Sequence, residues 1–294
     1  MAQLKRIMAA TDFSAAADNA VRRSSARAAE HGAELLVVHV FDNRAWQNAR
    51  RLFQRGEWSY GEPEDTANAR LEETRKRVAA DCAVRTRLLA CEDSVGNGLR
   101  QLIADEAPDL LVLGARGEHW LKDLVLGSTA LKLLQQARLP VLVSRVPAAR
   151  PYADILVGVD FSPACERAVR FAATAFPAAQ QRLLHAFQIP MEGRMRLAGA
   201  TDADMQGYLR IMRAHAEEET QRFGASVRGE SGVAGDSRVM HGPPASVLIE
   251  EAAASQMDIV ALGRHGGSAL DERVMGSVPD NILHYAPCDV LLVP

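Results

Sequence analysis

Short, continuous apolar runs alternate along this chain with longer stretches in which apolar positions recur every three to four residues. Runs such as "LLVVHV" and "DLLVLG" show no polar–apolar alternation, as expected of strands buried on both faces in a helix-covered parallel sheet. In the N-terminal half the pattern predicts strands near Ile7–Thr11, Leu35–Val40, Val84–Ala90, Leu110–Leu113 and Val141–Ser144. Helical periodicity fills the intervals near Ala15–Glu30, Glu64–Ala80, Val95–Glu106 and Thr129–Gln136. This βαβαβ alternation implies an open, mostly parallel five-stranded sheet with right-handed crossovers, flanked by helices.

The pattern is then written a second time. "RIMAATDFS" parallels "DILVGVDFS", "ELLVVHVF" parallels "QRLLHAFQ", and "APDLLVLG" parallels "QMDIVALG", while "LPVLVSRV" and "CDVLLVP" close the halves. Near-constant offsets of 148, 146, 149 and 149 positions indicate two tandem copies of one domain rather than a solenoid of short repeats. The expected division is residues 1–147 and 153–294, with 148–152 as linker, because the prolines of "PAARPY" discourage regular structure there. The second copy is expected to repeat the order of elements. Ser162 is its predicted first helix cap, with Pro163 at the first helical position.

Both copies carry glycines at one spacing: Gly114, Gly117 and Gly127-Ser128 in the first, Gly263, Gly266 and Gly276-Ser277 in the second. Each set starts at the end of a buried strand and stops before a helix. In an open α/β sheet the ligand crevice lies beyond the C-terminal strand ends, where strand order reverses. Glycines there can adopt positive φ and admit a ligand to the main chain, and a following helix N-terminus offers unpaired N–H groups to an anion. The alternative is that these glycines only make strand-to-helix turns, and their recurrence at matching places weakens it. A Walker loop is excluded, since neither half contains Gly-Lys-Ser/Thr, and the Rossmann glycine fingerprint is missing after the first strand.

Taken together, "D-F-S" after strand 1, "H-V/A-F" in strand 2, "D-L-L-V-L-G-A-R-G" at strand 4 and the later "G-S" resemble the universal stress protein family. The resemblance covers essentially the whole chain as two UspA-type domains of the ATP-binding branch. It implies an adenine nucleotide α-hydrolase-like fold, with the two domains packed as an intrachain pseudo-dimer through their final strands. It also implies that ATP, with or without Mg²⁺, is held by Gly114, Gly117, Gly127, Ser128 and Thr129, and again by Gly263, Gly266, Gly276, Ser277 and Val278. Arg116 and His265 would face phosphate from inside the loops. Asp12 and Asp160 would border the nucleotide, and Val40 and Ala186 would sit near adenine. Departures from the family pattern make unequal sites the expectation. Glu118 and Asp123 accompany Lys122 in the first loop, Asp271-Glu272 accompany Arg273 in the second, and "HGPPASVL" keeps a Gly-Pro that "EDSVGNGL" lacks.

A formal charge of -3, from 34 basic and 37 acidic residues, supplies no field for nucleic acid or an anionic membrane. No apolar run reaches the roughly 18 residues of a membrane helix. Four scattered cysteines without metal spacing suit a reducing compartment, so a cytoplasmic protein is expected. No G-x-S-x-G, H-E-x-x-H or nucleophile–base pattern appears, and each crevice is assigned a single carboxylate. A stress-response or signalling module with little or no ATP turnover, acting through a protein partner, therefore leads. A sensor or carrier of a lipid or nucleotide-sugar type ligand, or a slow ATPase, is the alternative.

Two features stay open at this level. His39 and His185 recur in strand 2, where a hydrogen-bonded structural role competes with metal binding or proton transfer. In the insert Asp42–Pro63, Trp46, Ala49 and Phe53 share a face if Ala45–Arg55 is helical; this is either a lid or partner-binding helix, or packing on its own domain. The apolar final strands Val141–Ser144 and Val290–Val293 suit edge pairing, and a further homodimer is conceivable on that ground.

Overall fold

The computed structural model describes residues 3–44, 47–48, 63–115, 133–134, 137–148, 150–189, 192–231, 236–264 and 275–294. The chain divides into two compact units, Ala2–Pro151 and Tyr152–Pro294.

In the N-terminal unit, β1 (Arg6–Ala10), β2 (Glu34–Asp42), β3 (Val84–Cys91), β4 (Leu110–Gly114) and β5 (Val141–Ser144) pair in parallel in the order β3-β2-β1-β4-β5. Helix α1 (Ala15–His31) joins β1 to β2, α2 (Pro63–Val78) precedes β3, and α3 (Val95–Glu106) joins β3 to β4. The C-terminal unit uses the same order, with β6 (Asp154–Val159) in the middle, β7 (Gln180–Phe187) and β8 (Ser237–His241) on one side, and β9 (Ile259–Gly263) and β10 (Asp289–Val293) on the other. Its helices are α4 (Pro163–Ala175), α5 (Glu192–Leu197), α6 (Asp202–Ser231), α7 (Pro244–Ala254) and α8 (Ser277–Tyr285). The expected strands lie where the apolar runs place them.

Between its second and third strands the second copy carries the short α5 and the 30-residue α6. None of α5 is buried, whereas α6 seats Met205 and then, at intervals of three and four residues, Ala216, Thr220, Gly224 and Val227. The predicted helix at Thr129–Gln136 lies outside the described residues apart from Leu133 and Leu134, which are buried. The Trp46–Phe53 face also lies outside them; at its entry, Arg44 meets Asp93 at 3.4 Å.

Burial runs unbroken along the central strands. Leu35, Leu36, Val37 and Val38 are all at 0 % exposure, as are Ile259, Val260 and Ala261, which requires cover on both sheet faces. Each such aliphatic side chain contributes roughly 1.5–3 kcal/mol of burial. An aspartate sets register in each unit. Asp109 Oδ2 accepts the Lys5 and Arg6 N–H groups at 2.6 and 2.9 Å, and Asp258 Oδ2 accepts those of Ala153 and Asp154 at 2.7 and 3.0 Å. These acids precede β4 and β9 and fix them beside β1 and β6. Among the described residues no helix is long and apolar enough to cross a membrane.

Candidate functional site

The order β3-β2-β1-β4-β5 places the switch point between β1 and β4, and β6 and β9 repeat it, so each crevice opens at their C-terminal ends. There "D-F-S" forms the same turn twice. Ser14 caps α1 by accepting the Ala17 N–H at 3.2 Å, and Ser162 caps α4 by accepting that of Cys165 at 3.1 Å. Asp12 Oδ1 accepts the Ser14 N–H and Asp160 Oδ1 that of Ser162, both at 3.0 Å. The residue between is forced left-handed, Phe13 at φ 63° and Phe161 at φ 62°, a conformation that costs a bulky residue roughly 1–3 kcal/mol. Each ring stacks on the strand-2 histidine with centroids 4.5 Å apart, Phe13 on His39 and Phe161 on His185.

Those histidines answer the first open question. His39 Nδ1 lies 2.7 Å from the Thr11 carbonyl and His185 Nδ1 lies 2.8 Å from that of Val159. A carbonyl can only accept, so Nδ1 carries the hydrogen in both. Burial pushes the His39 pKa below its usual 6.5; the charge of Arg70 acts in the same sense, against the Thr11 hydrogen bond and Asp12. The role is structural, and among the described residues no cluster suited to a metal ion occurs.

The same hydrogen bonds hold the sheet open. Along β2, even-numbered residues face β1, since Glu34 N–H bonds Lys5 and Val38 accepts from Thr11 at 2.9 Å; odd-numbered ones face β3, since Leu35 N–H bonds Ala83. The β1–β2 register ends at Ala10 and Val38, and the Thr11 carbonyl that would next receive the Val40 N–H is taken by His39. By this parity the Val40 N–H and C=O point into the gap where β1 turns away beside Asp12. In the second unit Gln180 bonds toward β6 and Leu183 toward β8, so Ala186 turns toward β6 too. The register there runs one pair further, to Val159 and His185, and only the Ala186 C=O lies beyond the ladder beside Asp160. The side chain of Val40 faces elsewhere: it is 8 % exposed and packs on Gly98 of α3.

The glycines divide by cause. A Cβ on Gly114 would stand 2.7 Å from the Ala16 carbonyl carbon, and one on Gly263 would stand 2.7 Å from that of Ala164. Glycine is required there for the strand to meet the first turn of the helix after it, and neither residue has positive φ, contrary to expectation. Gly276 also has ordinary φ, -62°, with its nearest Cβ neighbour at 3.5 Å, so neither backbone nor packing demands glycine at this helix cap. It provides no side-chain cap, and among the described residues the N–H groups of Ser277 and Val278 find no acceptor. Arg116, Gly117, Gly127, Ser128, Thr129, His265 and Gly266 lie outside the described residues.

Sequence reasoning missed the walls of the crevices. Arg70 of α2 sets its guanidinium 4.5 Å from the Phe13 ring centroid and reaches the Phe13 carbonyl at 3.4 Å, whereas Phe223 of α6 meets the Phe161 ring edge-on at 5.9 Å. Neither belongs to a repeated motif, and an arginine on an exposed helix gives no local signal.

Fold and crevice thus define a duplicated α/β domain with a crevice at the switch point of each copy. The universal stress protein family model matches residues 3–145 and again 151–294, and the chain belongs to that family. A universal stress protein of Mycolicibacterium smegmatis is 28% identical over 98% of this chain and 96% of its own length. A Thermus aquaticus relative, 32% identical, matches 48% of this chain with 98% of its own length, so one copy corresponds to an entire protein there. The crystal structure of an Archaeoglobus fulgidus universal stress protein covers 98% of this chain with a TM-score of 0.65 at 15% identity, a likeness of fold.

Proposed function

We propose that each unit binds an adenine nucleotide in its crevice and that the protein is a stress-response or signalling module with little or no turnover. The observation that carries this reading is the main chain of Val40, turned into the gap left by the departing first strand beside Asp12, with Ala186 at the equivalent place beside Asp160. A donor and an acceptor on one residue suit the paired acceptor and donor on the edge of adenine. The carboxylate next to them adds a second acceptor for an exocyclic amine. The N–H groups of Ser277 and Val278 at the start of α8, which find no acceptor among the described residues, suit a phosphate, and the repeated glycine spacing suits close approach to the loops before it. ATP is the proposed ligand, with a divalent ion offsetting the acidic residues of the loops. Slow turnover at most follows from one carboxylate per crevice and no nucleophile–base pair. The four free cysteines fit a reducing compartment such as the cytoplasm.

Titration calorimetry of the full chain with ATP and Mg²⁺ tests this. Micromolar binding, about -8 kcal/mol, is expected, with one of two sites lost in Gly117→Val and the other in Gly266→Val. Unchanged binding in both variants, or none in the wild type, would end the reading. A lipid or sugar derivative retained through native purification would replace it with a carrier role.

A further inference from the structure

We propose that Arg70 sets the charge preference of the first crevice, so that this crevice selects the more highly phosphorylated adenine nucleotide and the second does not. The inference rests on the adenine-nucleotide reading and assigns its two sites different ligands.

The two crevices share floor and turn, with φ and ring distances nearly identical at Phe13 and Phe161. They differ in what the helix before the third strand contributes. The buried faces of α2 and α6 follow one spacing, Ala67, Leu71 and Thr74 against Thr220, Gly224 and Val227. Matched on that spacing, position 70 falls on Phe223, so the place that holds a cation over Phe13 in the first crevice holds an aromatic ring against Phe161 in the second.

Arg70 is also unusual on its own helix. Its neighbours are neutralised: Arg75 pairs with Glu72 at 2.6 Å and Arg77 with Asp18 at 3.1 Å. Arg70 instead lies on an aromatic face and a carbonyl, and among the described residues no carboxylate comes within ion-pair distance of it. A guanidinium held by a ring and a carbonyl is positioned without being neutralised. Its charge acts on His39, as does that of Asp12, which sets all three groups about the same opening. Each added phosphate on a bound nucleotide brings negative charge to a crevice already carrying Asp12, and Arg70 offsets it. In the second crevice Phe223 supplies apolar surface instead, which favours the uncharged base beside Asp160.

The test is calorimetry of the full chain with ATP and with adenosine, for the wild type, Arg70→Gln and Arg70→Lys. Arg70→Gln is expected to weaken ATP at one site about fivefold and leave adenosine within about twofold. Arg70→Lys should restore the ATP preference. The wild-type preference should shrink as ionic strength rises, since exposed charges are screened. Equal losses for ATP and adenosine in Arg70→Gln would mean a packing role and overturn the inference, as would an unchanged ratio; either leaves the nucleotide reading standing. A wild type that binds neither compound overturns both.

Discussion

At the scale of single residues, the crevice is built by groups that take a neighbour's hydrogen bond. His39 is the clearest, because its Nδ1–H occupies the carbonyl that would have continued the ladder between β1 and β2. Keeping that contact requires a neutral, buried ring, and burial lowers its pKa from 6.5. In the unfolded chain the ring protonates as pH falls through its ordinary value, while the folded form stays neutral. The unfolded state then binds more protons, so the contribution of His39 is complete above about pH 6.5 and is lost as pH falls through the lowered folded value. Urea midpoints of wild type and His39→Gln between pH 7 and 5 should show a steeper acid-side fall in the wild type. Parallel curves would mean that the ring titrates alike in both states. The sequence displayed both histidines at matching places, and their structural role was the favoured reading. What it could not display was the partner atom, nor the left-handed turn at Phe13 and Phe161, because aromatic residues carry no local preference for φ > 0.

At the scale of elements, the two copies fill one volume in opposite ways. In the first, Val40 on β2 faces Gly98 on α3, where an added Cβ would come within 2.6 Å of Val40 Cγ1. In the second, the strand residue is Ala186 and the matching helix position is Val247, which is buried. The large side chain has moved from strand to helix with the joint volume kept, the kind of exchange that cores accept. Gly98→Val should therefore destabilise the first unit by about 1–3 kcal/mol, and adding Val40→Ala should recover much of it. Additive losses in a double-mutant cycle of chemical unfolding would show that the two positions do not share space. Such a pairing lies outside what a single chain reveals, since the partners stand on different elements and only their repeat equivalents hint at compensation. The strands, by contrast, were legible throughout, because burial on both faces leaves an unbroken apolar run such as Leu35–Val38. The glycine spacing was legible too, but for Gly114 and Gly263 its cause is contact with helix backbone. Helix α6 keeps the buried spacing of α2 with other residues, Thr220, Gly224 and Val227 for Ala67, Leu71 and Thr74, so no shared motif marks it.

At the scale of the molecule, duplication lets two crevices diverge while each copy keeps what it needs to fold. Each unit has its own five parallel strands in the same order, its own aspartate clamp, and its own continuous core. The first joins its ion pairs into one network, where the described pairs of the second are separate. Glu106, 6 % exposed, takes Arg85 Nη2 at 2.5 Å and Arg87 Nη1 at 2.9 Å, while Glu34 takes Arg6 Nε at 2.7 Å and Arg85 Nε at 2.9 Å. In the second unit Ser255 stands where Glu106 does, Arg238 pairs with Glu251 at 3.2 Å, and Arg182 pairs with Asp154 at 3.1 Å. Self-sufficiency of the copies predicts that residues 152–294 expressed alone fold cooperatively, with a sigmoidal thermal transition and native far-ultraviolet dichroism. The half-length Thermus aquaticus relative makes the same point from the other direction, since a chain of one copy exists as a protein. A fragment that binds a hydrophobic dye and melts without cooperativity would show that its core is completed from outside itself. Duplication would then serve folding before it served ligand choice. A folded fragment that binds adenosine and ATP alike would locate the charge selection in the first copy, where Arg70 stands.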